Sequence, residues 1–205
     1  MIIKIFLAGM LITYPVIYIE FFVEGFLEGL GLPETTFLIL YFFIGIALVE
    51  EFFKFFVVRV GVFKHAALDE PVDIMLYMII SALGFAAFEN ILLLFRLAEI
   101  YPLSDIFLVN VIRFMQAIFL HALASGIIGY FLARSYFFKR GRFLFFFIGF
   151  LIATTLHALF NLYIFIVGDQ GLFFLLLPII PLSILAVFIS FGFRKLKKIK
   201  VSHLT

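Results

Sequence analysis

Residues 37–58 read FLILYFFIGIALVEEFFKFFVV. The run is long enough to cross a bilayer core, which takes about 20 mostly apolar residues in an α-helix. Its apolar character is broken only by Glu50, Glu51 and Lys54. Five similar stretches flank it, at 3–23, 74–96, 106–133, 143–167 and 172–193. The pattern predicts an all-α, polytopic membrane bundle of about six transmembrane helices. One domain fills residues 1–205, with its motif-bearing core at about 37–167.

Composition points the same way. The chain is 66% hydrophobic and 14% charged, whereas a soluble domain has about 45–50% apolar and 25% charged residues. A water-soluble monomer and a disordered chain are both excluded. The absence of cysteine removes disulfides, thiolate metal ligands and a thiol nucleophile. A net charge of +2 gives no reason to expect nucleic acid as a partner. The 33 phenylalanines read as filler for the membrane core. The first stretch follows Lys4 and lacks a small-residue cleavage site before Glu24, Gly25 and Glu28, so it reads as a retained span.

Loop charge sets the expected orientation. Loops 24–36, 97–105 and 168–171 carry only acids, among them Glu28, Asp105 and Asp169, while loop 134–142 carries Arg134, Lys139, Arg140 and Arg142. Loop 59–71 mixes Arg59 and Lys64 with Asp69 and Glu70, and the tail from Arg194 to Lys200 is basic. Basic loops stay in the cytoplasm, which places both termini there. Pro178 and Pro181 lie within the last span and should kink it.

Ionisable groups inside a spanning helix are costly and by default suggest function. Here they cluster: Glu50, Glu51 and Lys54 on span two, Glu89 and Asn90 on span three, Arg113, Gln116 and His121 on span four, and His157 and Asn161 on span five. At 1.5 Å per residue, Glu50 sits about 12 Å and His157 about 21 Å from the cytoplasmic ends of their spans. His121 and Glu89 sit about 22 Å and 10 Å from the outer ends of theirs. All belong to the central part of the bilayer and should face a hydrated interior. Glu50 and Lys54 share a helix face and read as a self-neutralising pair, whereas Glu51 has no such local partner. His157 and Asn161 also share a face. Glu20 lies near the end of its span. Small residues in spans three (Ser81, Gly84, Ala87) and four (Ser125, Gly126, Gly129) favour close packing of the two, holding Glu89 near His121.

Carboxylates, imidazoles and an amide suit hydrolysis. A carboxylate takes a proton from water, a histidine assists the leaving amine, and an amide steadies an oxyanion. Nothing marks Ser81 or Ser125 as a nucleophile, and there is no HExxH. A metal site would draw on several helices. A proton- or cation-coupled transporter built on the same carboxylates is allowed by these residues, as is a silent scaffold.

The string Glu50-Glu51-Phe52-Phe53-Lys54 resembles the EExxK motif of the PrsW family of intramembrane proteases. Asp69-Glu70-Pro71-Val72-Asp73 resembles that family's acidic loop, and Gly84-Phe85-Ala86-Ala87-Phe88-Glu89-Asn90 its GFAxxEN motif. Arg113 with His121-Ala122-Leu123, Gly126 and Gly129-Tyr130 resembles its R…HAL…G…GY stretch. His157 and Asn161 stand where the family has HGxxD, with Ala158 for Gly and Asn161 for Asp. The CAAX-processing and bacteriocin-processing membrane proteases are more distantly similar, and His157xxxAsn161 fits their HxxxN motif.

The resemblance implies a protease that cleaves a single-span, anti-sigma-factor-like membrane protein within the lipid bilayer of a prokaryotic cell. It implies Glu50 or Glu51 as the base that activates water, His157 and Asn161 as oxyanion donors, and Glu89 and His121 as assisting groups. Lys54, Asn90 and Arg113 would support them. No cofactor is expected; the family has also been described as metal-dependent, which leaves zinc as the alternative, although Asn161 suits an oxyanion donor better than a zinc ligand.

Overall fold

The computed structural model describes residues 1–99, 103–137, 142–167 and 170–199, and the side chains among them apart from 103–108 and 142. The loop charges Lys139, Arg140, Asp169 and Lys200, and the side chains of Asp105 and Arg142, lie outside the described residues. The chain runs as α1 (Ile2–Gly29), α2 (Glu34–Leu40), a π-helical segment (Tyr41–Leu48), α3 (Val49–Gly61), α4 (Pro71–Ala98), α5 (Leu103–Phe137), α6 (Arg142–Val167), α7 (Leu172–Leu176) and α8 (Ile179–Lys197). There is no strand among the described residues. The segment Glu34–Gly61 is one rod, and among the described residues six helices are long and apolar enough to span a membrane.

Each helix follows from local chemistry. Glu70 caps α4, Pro71 opens its first turn, and Asp73 completes a capping box. Asp73 Oδ2 accepts the Glu70 N–H at 2.7 Å and the Asp69 N–H at 3.2 Å. The acidic stretch at 69–73 therefore starts a helix, satisfying N–H groups that would otherwise be orphaned. At the other end of the chain the expected kink is a break. α7 stops at Leu176, and α8 begins after Pro178, whose ring cannot continue the helical hydrogen bonding.

α4 is the central helix, packed on α1, α3, α5 and α8. It runs parallel to α1, with Gly9 against Ser81 and Thr13 Oγ1 3.5 Å from the Phe85 carbonyl. A Cβ at Gly9 would collide with the Ser81 carbonyl, and one at Gly84 with the Phe6 carbonyl. Small residues thus let the backbones meet. The expectation that the glycines join spans three and four holds for Gly129, where a Cβ would come within 2.6 Å of Met75 Cα. Gly84 instead faces α1. A helix surrounded on several sides spends its small residues on more than one neighbour. The outer faces carry exposed Leu11, Phe22, Phe143, Phe147 and Phe188, apolar side chains that suit lipid.

Candidate functional site: a buried Glu–His–Lys centre

The site begins where the π-helical segment hands over to α3. Such segments break the helical register and often sit at functional positions. Directly after it, Glu50 and Glu51 are 2% and 0% exposed. Consecutive residues diverge by about 100° around a helix. Both are buried because α3 is enclosed by α1, α4, α5 and α6.

Lys54, also fully buried, joins the two acids. Its Nζ lies 2.9 Å from Glu50 Oε2 and 2.9 Å from Glu51 Oε1. This corrects the expectation that Glu51 lacks a local partner. Residues three apart on a helix are as close as residues four apart, so one ammonium reaches both carboxylates. The same Nζ donates to His121 Nδ1 at 2.7 Å and sits 4.4 Å from the centre of the Phe85 ring, a cation–π contact. Ser81 Oγ donates to the Lys54 carbonyl at 3.2 Å.

The two imidazoles complete the centre. His157 Nδ1 lies 2.9 Å from Glu51 Oε1, and the other Glu51 oxygen accepts from Ser125 Oγ at 2.9 Å. His121 Nε2 lies 2.9 Å from Glu89 Oε2. The ring centres are 4.8 Å apart and nearly perpendicular. These partners set the tautomer that each ring takes in its neutral form. Facing carboxylates, His157 carries its proton on Nδ1 and His121 on Nε2. His121 Nδ1 and His157 Nε2 are left with lone pairs. Each is 3.7 Å from Glu50 Oε2, and His157 Nε2 is buried without a hydrogen-bond partner.

Three acceptor atoms thus converge, a donor set that calls for a cation. Glu50, His121 and His157 each offer a ligand atom, all within 4.8 Å of one another. Bonds of about 2.0–2.2 Å put tetrahedral zinc ligands about 3.3–3.6 Å apart, and the two imidazole nitrogens each stand 3.7 Å from Glu50 Oε2, near that spacing. A carboxylate on the far nitrogen of a ligating histidine is the usual orienting contact, and Glu51 makes it to His157. The residues fit a divalent metal ion. Lys54 engages two of the same three acceptor atoms, so the ammonium and a metal ion compete for them.

Glu50 also lines a cavity of about 300 Å³. Its other polar walls are Glu20 from α1, Glu89 and Asn90 from α4, Arg113 from α5 and Asn161 from α6. The Glu89 side chain is 41% exposed, so the centre communicates with solvent-accessible space. Of the residues singled out in the sequence, the structure brings Glu50, Glu51, Lys54, Glu89, His121 and His157 into one hydrogen-bonded network. Asn90, Arg113 and Asn161 stand on the cavity wall. Two further residues that the sequence does not mark as functional belong to the site. Ser125 follows His121 by one helical turn, a spacing that puts both on one face. Glu20 is the innermost of three carboxylates on α1, followed by Glu24 and Glu28, and its place near the helix end hides it in the sequence.

Fold and site together define a polytopic membrane protein built around a buried acid–imidazole centre. The family model described as PrsW family intramembrane metalloprotease matches residues 1–191, and the chain belongs to the PrsW family. Protease PrsW of Geobacillus kaustophilus (strain HTA426) is 30% identical over 160 residues, covering 78% of this chain and 65% of the relative. Protease PrsW of Oceanobacillus iheyensis is 31% identical over 138 residues, covering 66% and 56%. That of Bacillus subtilis (strain 168) is 28% identical over 137 residues, covering 67% and 56%. The chain thus spans between about half and two thirds of the length of these curated relatives. No solved structure matches it. With six membrane-length helices among the described residues and bacterial relatives, it is a multi-pass membrane protein of prokaryotic type.

Proposed function

We propose that the chain is an intramembrane endopeptidase that hydrolyses a peptide bond of a membrane-spanning substrate. One observation carries the reading: the Glu50 carboxylate and two imidazole lone pairs meet at the floor of a polar cavity at membrane depth. Family membership supplies the reaction class, and an anti-sigma-factor-like single-span protein is the substrate that the family resemblance suggests.

Glu50, His121 and His157 would hold a divalent ion, which when bound supplies Lewis acidity toward a carbonyl and lowers the pKa of water. The remaining work falls to the chain. Glu89 reaches into the cavity and receives the proton of the attacking water, while the His121 Nε2–H holds its carboxylate in place. The same proton then passes to the leaving amine. The Asn161 amide and Arg113 guanidinium are the donors available to the oxyanion. His157 serves from the lone-pair side, because its Nδ1–H is committed to Glu51. Glu51 orients His157 and does not itself line the cavity.

A metal-free version is favoured by one feature, the Lys54 ammonium already seated against Glu50 and Glu51. There Glu50 activates water and Lys54 is the fixed cation. If the basic loops are cytoplasmic, the cavity lies in the outer half of the bilayer. Glu20, Glu89 and Asn161 each stand within about 14 Å of helix ends on that side.

The deciding experiment is cleavage of a tagged single-span substrate in liposomes by wild type, Glu51→Gln and His157→Ala, with and without a chelator. Cleavage by wild type that is lost in His157→Ala and falls about 10–100-fold in Glu51→Gln, with both variants still folded, supports the protease reading. Full activity in both removes it. Activity that survives exhaustive chelation selects the metal-free version.

A further inference from the structure

The cavity above the centre has polar walls that the centre does not use. Glu20 lines it from α1, and its Oε1 is buried with no protein hydrogen-bond partner. Asn90 lines it from α4, and its Nδ2 is likewise buried and unpartnered. Arg113 faces the same space and makes no ion pair among the described residues. A carboxylate acceptor and two kinds of N–H donor therefore surround about 300 Å³ of space inside an otherwise apolar bundle. Leaving such groups unpaired in the membrane is expensive, so a wall of this kind implies a polar ligand.

The proteolytic reading, on which this inference rests, says what ligand. A membrane-spanning substrate arrives as a helix with its backbone hydrogen bonds closed on themselves. Its scissile bond becomes accessible only when a short stretch unwinds. That stretch then presents N–H and C=O groups that the lipid cannot satisfy. We propose that Glu20 and Asn90 form a backbone clamp for the unwound stretch, the Glu20 carboxylate accepting a substrate N–H and the Asn90 amide donating to a substrate C=O. The clamp selects for ease of unwinding: substrates with helix-breaking residues at the site are preferred over substrates of uniformly helix-forming sequence.

Binding tests this apart from cleavage. The probes are two fluorescent synthetic membrane-spanning peptides of about 22 apolar residues, one with a central Gly-Pro-Gly, the other with a central Leu-Leu-Leu. The host is the full chain carrying Glu51→Gln, in detergent micelles, read by anisotropy. The Gly-Pro-Gly peptide should bind about tenfold more tightly than the Leu peptide, the size of one net hydrogen bond. Adding Glu20→Leu should erase that preference, whereas Glu20→Gln, which keeps an acceptor oxygen, should retain most of it. Asn90→Leu is the second variant, expected to erase the preference from the donor side if Glu20→Leu does not fold. An undiminished preference in the folded Leu variants overturns the clamp, as does equal loss in Glu20→Gln and Glu20→Leu. If wild type cleaves and the preference is insensitive to Glu20 and Asn90, the clamp falls and the protease stands. If the preference behaves as expected and wild type cleaves nothing, the protease reading falls instead.

Discussion

Glu51 takes the Nδ1–H of His157 across 2.9 Å and thereby aims the bare Nε2 of the ring at Glu50, 3.7 Å away. Glu51 is fully buried and is held on its other oxygen by Ser125. The two consecutive acids therefore have different tasks, Glu50 facing the cavity and Glu51 holding a histidine.

Loss of that hold should cost chemistry before it costs the fold. Glu51→Gln retains the side chain's shape and leaves Lys54 its contact with Glu50. Removing an orienting carboxylate behind a working histidine costs about 10–100-fold in activity or metal affinity. Cleavage of a model membrane substrate should drop by that factor, with the melting temperature in detergent little changed. Ser125→Ala should give a smaller loss in the same direction, because it frees only the second Glu51 oxygen.

If the three converging acceptors hold a metal, wild type purified without chelator should carry one zinc per chain by elemental analysis. Glu50→Gln, His121→Ala and His157→Ala should each lose it. Asn161→Ala should retain it, since Asn161 is on the cavity wall and outside the ligand group. A stoichiometry near zero in wild type after zinc reconstitution would count against the metal and for Lys54 as the working cation.

Much of this arrangement was legible in the sequence. The six spans follow from apolar run length alone, and the intramembrane charges flagged Glu50, Glu51, Lys54, Glu89, His121 and His157. What stayed hidden has physical causes. A π-helical segment is a change of hydrogen-bond register with no residue signature, so Tyr41–Leu48 reads as ordinary helix. The i,i+3 contact of Lys54 with Glu51 depends on which rotamer the enclosure allows. Glu20 is not legible as a cavity residue, because distance from a helix end does not tell whether a side chain faces lipid or a cavity. The acidic stretch at 69–73 caps a helix, a task recognisable only once Asp73 is seen to accept from Glu70.

Lys54 should contribute strongly to the stability of the metal-free protein. It is wholly buried, and it is the cation bonded to both Glu50 and Glu51. Removing one partner of a buried charge group typically costs about 3–5 kcal/mol, because the opposite charges are left uncompensated. Lys54→Met should therefore unfold at markedly lower denaturant or temperature than wild type. The double variant Lys54→Met, Glu51→Gln should recover part of that loss, since it removes one of the stranded carboxylates. Equal stability of Lys54→Met and wild type would mean that other groups neutralise the acids.

The packing of α1 on α4 gives a prediction independent of catalysis. A Cβ at Gly84 would run into the Phe6 carbonyl and also lie 3.1 Å from the Met10 nitrogen, all rigid backbone. Gly84→Ala must push the helices apart, and overpacking of this kind costs about 1–3 kcal/mol. Gly25→Ala, on the same α1, meets nothing within 4 Å and should be neutral or slightly stabilising. The comparison isolates close approach from helix propensity, because both changes introduce the same methyl group into a helix. It also bears on the site. Glu20 and Glu89 reach the cavity from these two helices, so separating them widens the space in which a substrate would be held. Gly84→Ala should consequently raise KM for a membrane substrate more than it lowers kcat, whereas Gly25→Ala should move neither. A melting temperature unchanged by Gly84→Ala would contradict the backbone contact from which both effects are argued.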